Sequence, residues 1–175
     1  GRILGTTIDL QKKKLSMKNL TLVTGNFNSG IDEVLEAAFE TISENMQFVE
    51  SIFCARVLYE SRILVGGRTG INVVRRWGVE NTDAEKRVAT FNIKRSNQKP
   101  VQMHGERNVW LLLKLHGMNR FVKGKIYVVS ITQKVLPISD PDLDFLNVLQ
   151  KVLKNSLQSI DLKTASGDSK STALL

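Results

Sequence analysis

The chain has 175 residues, a formal net charge of +8 and 42% hydrophobic residues. These values are typical of one domain with its own core, and the single cysteine, Cys54, excludes an internal disulfide. Because Cys54 lies in an apolar stretch, we predict a buried structural thiol and an intracellular location in a reducing compartment. No apolar run approaches the ~18 residues that a membrane-spanning helix needs.

The sequence pattern of the first part of the chain predicts an arm, a strand and a helix, in that order. Residues 1–17 read as a flexible basic arm that carries Lys12, Lys13 and Lys14. Residues 18–24 alternate and are rich in Leu, Thr and Val, which favours a strand. Between residues 31 and 49, apolar side chains recur every three or four positions, which predicts an amphipathic helix that Ser29 can cap.

The middle of the chain has a mixed pattern. Residues 51–65 are apolar without a clear period, and we predict a second helix that ends at the two glycines that follow. We predict strands over residues 71–77 and 88–93, separated by a turn at residues 81–85. Residues 96–107 are predicted to form a polar loop.

The last part contains the clearest strands. Residues 109–115 and 126–135 predict two strands joined as a hairpin. Asp140 is the predicted cap of a helix over residues 141–158, because Pro141 fits the first helical position. Residues 161–175 are small and polar and predict a disordered tail.

This element order predicts an α+β fold in which helices pack on an antiparallel sheet. We expect a single domain with flexible termini: an arm over residues 1–17, a compact domain over 18–160 and a polar tail over 161–175.

The motifs give no sign of catalytic chemistry. Gly25 and Gly30 have the spacing of a phosphate-binding loop, but Ile31 and Asp32 follow where that loop needs Lys and Ser or Thr. The two histidines lie in separate segments without metal-ligand spacing. We therefore predict that the protein is not an enzyme and has no catalytic residue, metal, cofactor or small-molecule substrate.

Charge is unevenly distributed along the chain. Residues 26–65 hold two basic and seven acidic residues, whereas residues 66–125 hold thirteen basic and four acidic ones. A basic region of this kind predicts an anion-binding surface for nucleic acid or an acidic membrane. Together with the arm, its predicted binding residues are Arg68, Arg75, Arg76, Lys94, Arg95, Arg120, Lys123 and Lys125. The alternative interpretation is a solvated sheet face with scattered cations.

A row of acidic residues suggests a second use of charge. Glu36, Glu40 and Glu44 follow one another at four-residue steps, so they lie on one side of the first helix. We predict that this row contacts the basic region of a neighbouring copy and makes the protein a homo-oligomer. The alternative is that the row is the solvated side of the helix.

The layout resembles that of the matrix proteins of rhabdoviruses, particularly the short ones of plant-infecting members. The resembling parts are the basic arm, the strand at residues 20–24, the helix at residues 31–49, the strand at residues 126–135 and the acidic-capped helix from Asp140. The resemblance rests on layout, size and charge over most of residues 12–160, and a Pro-Pro-x-Tyr motif is absent.

The resemblance implies a structural protein of the virion, located in the host cytoplasm or at the inner membrane face. Such a protein self-associates and bridges the nucleoprotein–RNA complex to an anionic membrane as a peripheral, membrane-associated partner. The alternative hypothesis, from the basic region and the aromatics beside Arg76 and Arg120, is a single-stranded RNA-binding module, such as a coat-like, movement or silencing-suppressor protein.

Overall fold

A computed structural model of the chain describes residues 30–57, 71–88, 99–103, 105–122, 124–136 and 138–174, with side chains as far as residue 164. The predicted arm at 1–17 and the predicted strand at 18–24 lie outside these residues. So do most of the predicted strand at 88–93 and, among the predicted binding residues, Lys12, Lys13, Lys14, Arg68, Lys94, Arg95 and Lys123.

The described residues form a five-stranded antiparallel sheet with helices packed on it, which confirms the predicted α+β class. The strand order is β2-β1-β5-β4-β3. The strands are β1 Val49–Val57, β2 Ile71–Gly78, β3 Val101–Gln102, β4 Asn108–Lys114 and β5 Ile126–Gln133. The predicted hairpin is confirmed, because β4 and β5 pair antiparallel from Asn108 opposite Thr132 to Lys114 opposite Ile126.

Helix α1 spans Ile31–Asn45, four residues shorter than predicted, because Val49 already begins β1. Gly30 is its N-cap, and its backbone N–H donates to Glu33 Oε2 at 3.0 Å. This bond satisfies one donor that the helix itself leaves free at its first turn. Within the helix, Val34, Leu35, Ala38 and Ile42 of the predicted apolar stripe are buried, and so is Phe39, which the stripe did not include.

The predicted helix at residues 51–65 is wrong at its start, where the chain forms strand β1. This strand is central in the sheet, between β2 and β5, and seven of its nine residues are buried. A strand covered on both faces is apolar at consecutive positions, so it lacks the alternation that identifies a half-buried strand. Sequence periodicity alone cannot distinguish such a run from a buried helix.

Helix α3 spans Asp140–Leu174. Its cap is Ser139, whose Oγ accepts from the backbone N–H of Asp142 at 3.4 Å, so the predicted cap Asp140 is instead the first helical residue. The helix is buried on one side as far as Leu157 and continues into the range, 161–175, for which we predicted a disordered tail. Within the described part of the chain, no helix is both long and apolar enough to span a bilayer.

The sheet has helices on both of its faces. On one face, α1 and α3 pack on alternate residues of the central strands, among them Ile52, Cys54, Leu111, Val129 and Ile131. On the other face, a short helix, α2, lies where we predicted a turn. It spans Thr82–Arg87, and Asn81 caps it by accepting from the backbone N–H of Ala84 at 3.1 Å. The predicted loop at residues 96–107 contains strand β3.

Candidate ligand-binding face

The side of the sheet that α2 covers carries a second apolar cluster, separate from the main core. Because side chains alternate along a strand, every second residue of β1, β4 and β5 points to this side. We call it the α2 face. Its apolar residues are Phe53, Ala55, Val57, Ile71, Val73, Ala84, Val88, Val101, Trp110, Leu112, Ile126 and Val128.

One rung across the α2 face combines two large aromatic side chains with a serine. Phe53 of β1 lies opposite Ser130 of β5, and Ser130 lies opposite Trp110 of β4. Strands β1 and β4 are separated by β5, so their backbones are roughly 10 Å apart. The ring centroids of Phe53 and Trp110 are nevertheless only 6.3 Å apart, in an edge-to-face arrangement with an interplanar angle of 82°. The side chains of Phe53 and Trp110 therefore extend towards each other over Ser130.

The hydroxyl of Ser130 is buried without a hydrogen-bond partner among the described residues. The residue is 0% exposed, and its neighbours on the same face of β5, Ile126 and Val128, belong to the apolar cluster. A buried hydroxyl that lacks a partner costs about 1–3 kcal/mol. In the described part of the chain, a group that can both donate and accept a hydrogen bond thus lies without a partner in the centre of an apolar and aromatic surface.

A chain of hydrogen bonds on the next rung fixes the start of α2 to the sheet. The side-chain Nδ2 of Asn81 donates to Thr132 Oγ1 at 3.1 Å, and Thr132 Oγ1 donates to Asn108 Oδ1 at 2.7 Å. Asn81 is also the cap of α2, so one side chain satisfies the helix end and binds the sheet. Thr132 lies two residues after Ser130 on the same face of β5, which places this network beside the unpaired hydroxyl.

Two ion pairs attach the rest of α2. Arg76 of β2 donates to Glu85 at 2.6 Å, and this hydrogen bond raises the pKa of the Arg76 guanidinium. Arg87 pairs with Glu106, and its guanidinium carbon lies 5.8 Å from the centre of the Trp110 ring. At this edge of the α2 face, each of these two arginines is therefore neutralised by a glutamate.

Several of the cations that we predicted to bind anions form contacts within the chain. Arg75 pairs with Glu36 at 3.4 Å, Arg76 with Glu85, and Lys125 with Asp161 at 2.6 Å. Arg120 lies over the ring of its neighbour Phe121, which is 80% exposed, at 4.7 Å. Binding of an anion by these cations stays a prediction.

The predicted self-association row is present on α1. Glu36, Glu40 and Glu44 are the predicted residues, and all three are exposed. Glu36 contacts Arg75, which is one of the basic residues that we assigned to a neighbouring copy, but it does so within one chain. Self-association through this row therefore stays a prediction.

The remaining chemically reactive groups do not form a site. Cys54 is buried, as predicted, and burial raises the pKa of its thiol, so the reactive thiolate is disfavoured. Among the residues that the structure describes, no group of three or more His, Cys, Asp or Glu side chains is placed to hold a metal ion. Sequence reasoning missed Ser130. Its signal was a small polar residue within the largely apolar run of residues 126–131.

Comparison with known proteins identifies a fold but no family. No family model matches the chain, and no curated protein matches it. Among solved structures, it is similar to the GAF domain of a protein described as a sensor histidine kinase from Pseudomonas syringae pv. tomato. The TM-score is 0.54 and the identity 15%, over 96% of this chain and 97% of that one. A further match is an N-acylhomoserine lactone-dependent LuxR-family transcription factor from Burkholderia cenocepacia. Here the TM-score is 0.48 and the identity 13%, over 91% of this chain and 99% of that one.

The resemblance to rhabdovirus matrix proteins is therefore wrong. It rested on layout, size and charge, and the layout included a helix over residues 51–65, of which residues 51–57 belong to the central strand β1. The fold is instead shared with a GAF domain over nearly the whole chain. The functions based on the earlier interpretation, viral-matrix-like assembly in a virion and single-stranded RNA binding, are withdrawn. RNA and membrane partners have no support from these comparisons, whereas the absence of catalysis and the cellular location stay predictions.

Proposed function

We propose that this chain is the ligand-sensing domain of a signalling protein and that it binds a small molecule on the α2 face. The observation that carries the proposal is the fully buried hydroxyl of Ser130, which lies between two aromatic rings and has no hydrogen-bond partner among the described residues. Binding sites for small molecules are mostly apolar and contain a few fixed polar groups, which is the composition of this face. The fold that it shares with a sensor-kinase GAF domain supports the proposal by analogy. It replaces our expectation that the protein has no small-molecule ligand.

Helix α2 is the element whose position would change when a ligand binds to the α2 face. It has only six residues, and its polar contacts include Asn81 to Thr132, Glu85 to Arg76 and Arg87 to Glu106. A short element of this kind opens locally at a lower cost than the core strands. A ligand that displaces the Trp110 ring also alters the cation–π contact of Arg87. Binding and the position of α2 are thus physically linked.

The two tryptophans provide a test with an internal control. Trp110 lies on the α2 face, whereas Trp77 packs against the main core on the opposite face. Trp77→Phe leaves Trp110 as the only tryptophan, and Trp110→Phe leaves only Trp77. Both variants are screened by thermal unfolding and tryptophan fluorescence against a broad metabolite library, and native mass spectrometry of the purified protein reveals any ligand retained during purification.

We expect a ligand that raises the melting temperature and changes the fluorescence of Trp110 while leaving that of Trp77 almost unchanged. At a concentration a hundred times its Kd, such a ligand stabilises the fold by about 2.7 kcal/mol. A library in which no compound stabilises the protein, or in which stabilising compounds change only the Trp77 signal, contradicts the proposal.

A further inference from the structure

We infer that the ligand of the α2 face is an uncharged, flat molecule that inserts at the rings of Phe53 and Trp110 and hydrogen-bonds to the hydroxyl of Ser130. This inference rests on the proposed function and names the chemical class of the ligand. It follows from three properties of the described residues: their charge, their shape and their unused hydrogen-bonding capacity.

The first property is the lack of an available counter-charge. The apolar residues of the α2 face carry no ionisable group, and Ser130 is neutral. The charged residues at the edge that α2 covers already form two ion pairs, Arg87 with Glu106 and Arg76 with Glu85. An ionised ligand placed here would lose its hydration without gaining an opposite charge from the described residues, which is strongly unfavourable. The face therefore favours a neutral ligand.

The second property is shape. The rings of Phe53 and Trp110 meet edge to face above the small side chain of Ser130. The next rung of the same face contains Ala55 opposite Val128, so Ser130 and Ala55 are small residues on neighbouring rungs. A flat ring can replace the contact between the two aromatic side chains with stacking or edge contacts to each of them. A bulky or branched ligand would have to displace both rings further.

The third property is the unused hydroxyl. Ser130 can donate one hydrogen bond and accept others, and among the described residues it does neither. A ligand with one hydroxyl or carbonyl group satisfies it and removes the cost of its burial. As the polar group between the two rings, Ser130 thus sets the orientation of the ligand as well as part of its affinity.

The test uses three probes with the same ring system: 2-naphthol, naphthalene and 2-naphthoate. They are titrated at neutral pH into the wild-type chain, Ser130→Ala and the control Ser156→Ala, and binding is followed by calorimetry and by the NMR signal of the Trp110 indole N–H. Ser156 is a matched control because it is also buried, but its hydroxyl bonds to the Val152 carbonyl at 2.8 Å, on α3 and away from the α2 face.

In the wild type we expect 2-naphthol to bind about tenfold more tightly than naphthalene, which is the factor that one hydrogen bond contributes. We expect 2-naphthoate to bind more weakly than either. Ser130→Ala should reduce the affinity for 2-naphthol to that for naphthalene and leave naphthalene unchanged, whereas Ser156→Ala should change neither. Alanine is about as small as serine. If residue 130 acts only as a small spacer between the rings, Ser130→Ala and the wild type should therefore bind 2-naphthol with the same affinity.

Equal affinity of the wild type and Ser130→Ala for 2-naphthol, or tight binding of 2-naphthoate beside Trp110, would overturn the ligand class while leaving the proposed function intact. A Trp110 signal that responds to none of the three probes also overturns this inference, and the metabolite screen then decides the proposed function separately.

Discussion

The side chain of Gln158 forms two hydrogen bonds with the backbone of His116, as a neighbouring strand would. Its Oε1 accepts from the His116 N–H at 2.7 Å, and its Nε2 donates to the His116 carbonyl at 3.0 Å. Eight residues earlier on α3, Gln150 Nε2 donates to the Leu112 carbonyl at 2.9 Å. Two glutamines on one side of the helix thus bind the backbone of β4 and of the residues that follow it.

The first prediction follows from this pair of bonds. Gln158→Ala should lower the free energy of unfolding by about 1–2 kcal/mol, because each lost hydrogen bond is worth about 1 kcal/mol and water can reach the freed groups. Asn155→Ala, at an exposed position one turn earlier on α3, is the control and should change stability by less than about 0.5 kcal/mol. Urea unfolding measures both, and equal effects would contradict a specific role for Gln158.

Two glycines with nearly the same backbone conformation give a second prediction. Gly78 has φ +78° and Gly105 has φ +79°, a region that disfavours other L-residues. A Cβ at position 78 would lie 2.3 Å from the carbonyl oxygen of Glu50, whereas a Cβ at position 105 would meet no atom within 4 Å. Gly105→Ala should therefore cost only the conformational penalty, about 1–2 kcal/mol.

Gly78→Ala should cost clearly more than Gly105→Ala, because strands β1 and β2 must separate at Glu50 to admit the methyl group. We expect an additional loss of about 1–3 kcal/mol in urea unfolding, similar to that of overpacking a well-packed core. Because the two positions share their φ value, the difference between the variants isolates the close backbone contact. Indistinguishable unfolding midpoints would show that the sheet edge accommodates the methyl group.

The third prediction concerns self-association through the acidic row of α1. Since Glu36 is paired with Arg75 within the chain, the exposed Glu40 is the better test of contact with a second copy. In sedimentation velocity at low salt we expect oligomers that dissociate as the salt concentration rises, because exposed charges are screened beyond about 10 Å at 0.1 M. Glu40→Lys should weaken them, and Glu80→Lys, the same charge change at another exposed position, should not. A wild type that is monomeric at low salt and high concentration would refute the idea.

Part of the fold could be predicted from the sequence. Helix α1, one side of which faces solvent, was identified by its repeating apolar positions, and β5, which is buried along its whole length, by its length and its β-branched residues. The central strand β1 could not be identified, because α1 and α3 cover one of its faces and α2 the other, which removes the alternation. Helix α2 was missed because six residues are too short for a helical period to be visible.

The candidate site could not be predicted from the sequence. Its central rung combines Phe53, Trp110 and Ser130, which are far apart in the chain and meet only through the pairing of three strands. A shift of one residue in either pairing would turn these side chains to opposite faces. The charged residues that predict a basic surface were visible in the sequence, but their ion pairs within the chain were not.

The last prediction concerns stability at high pH. Burial raises the pKa of the Cys54 thiol and is also the main reason why the pKa of the Tyr127 hydroxyl is raised. Both groups are uncharged in the folded protein, whereas in the unfolded chain they ionise at about pH 8.5 and 10. The unfolded state therefore releases protons that the folded state keeps. The contribution of these two groups to the free energy of unfolding is therefore fully present below about pH 8.5 and is lost as the pH rises above that value.

The slope reaches at most about 1.4 kcal/mol per pH unit for each group. We expect Cys54→Ala to flatten the decline that begins near pH 8.5, and Tyr127→Phe to flatten the part above about pH 10. Urea unfolding between pH 7 and 10.5 measures the curves, and comparison with the wild type removes the shared contribution of the lysines. At pH 7 the two variants differ from the wild type by the packing of the altered side chain alone. Curves that run parallel to the wild type at every pH would mean that water reaches these groups in the folded protein.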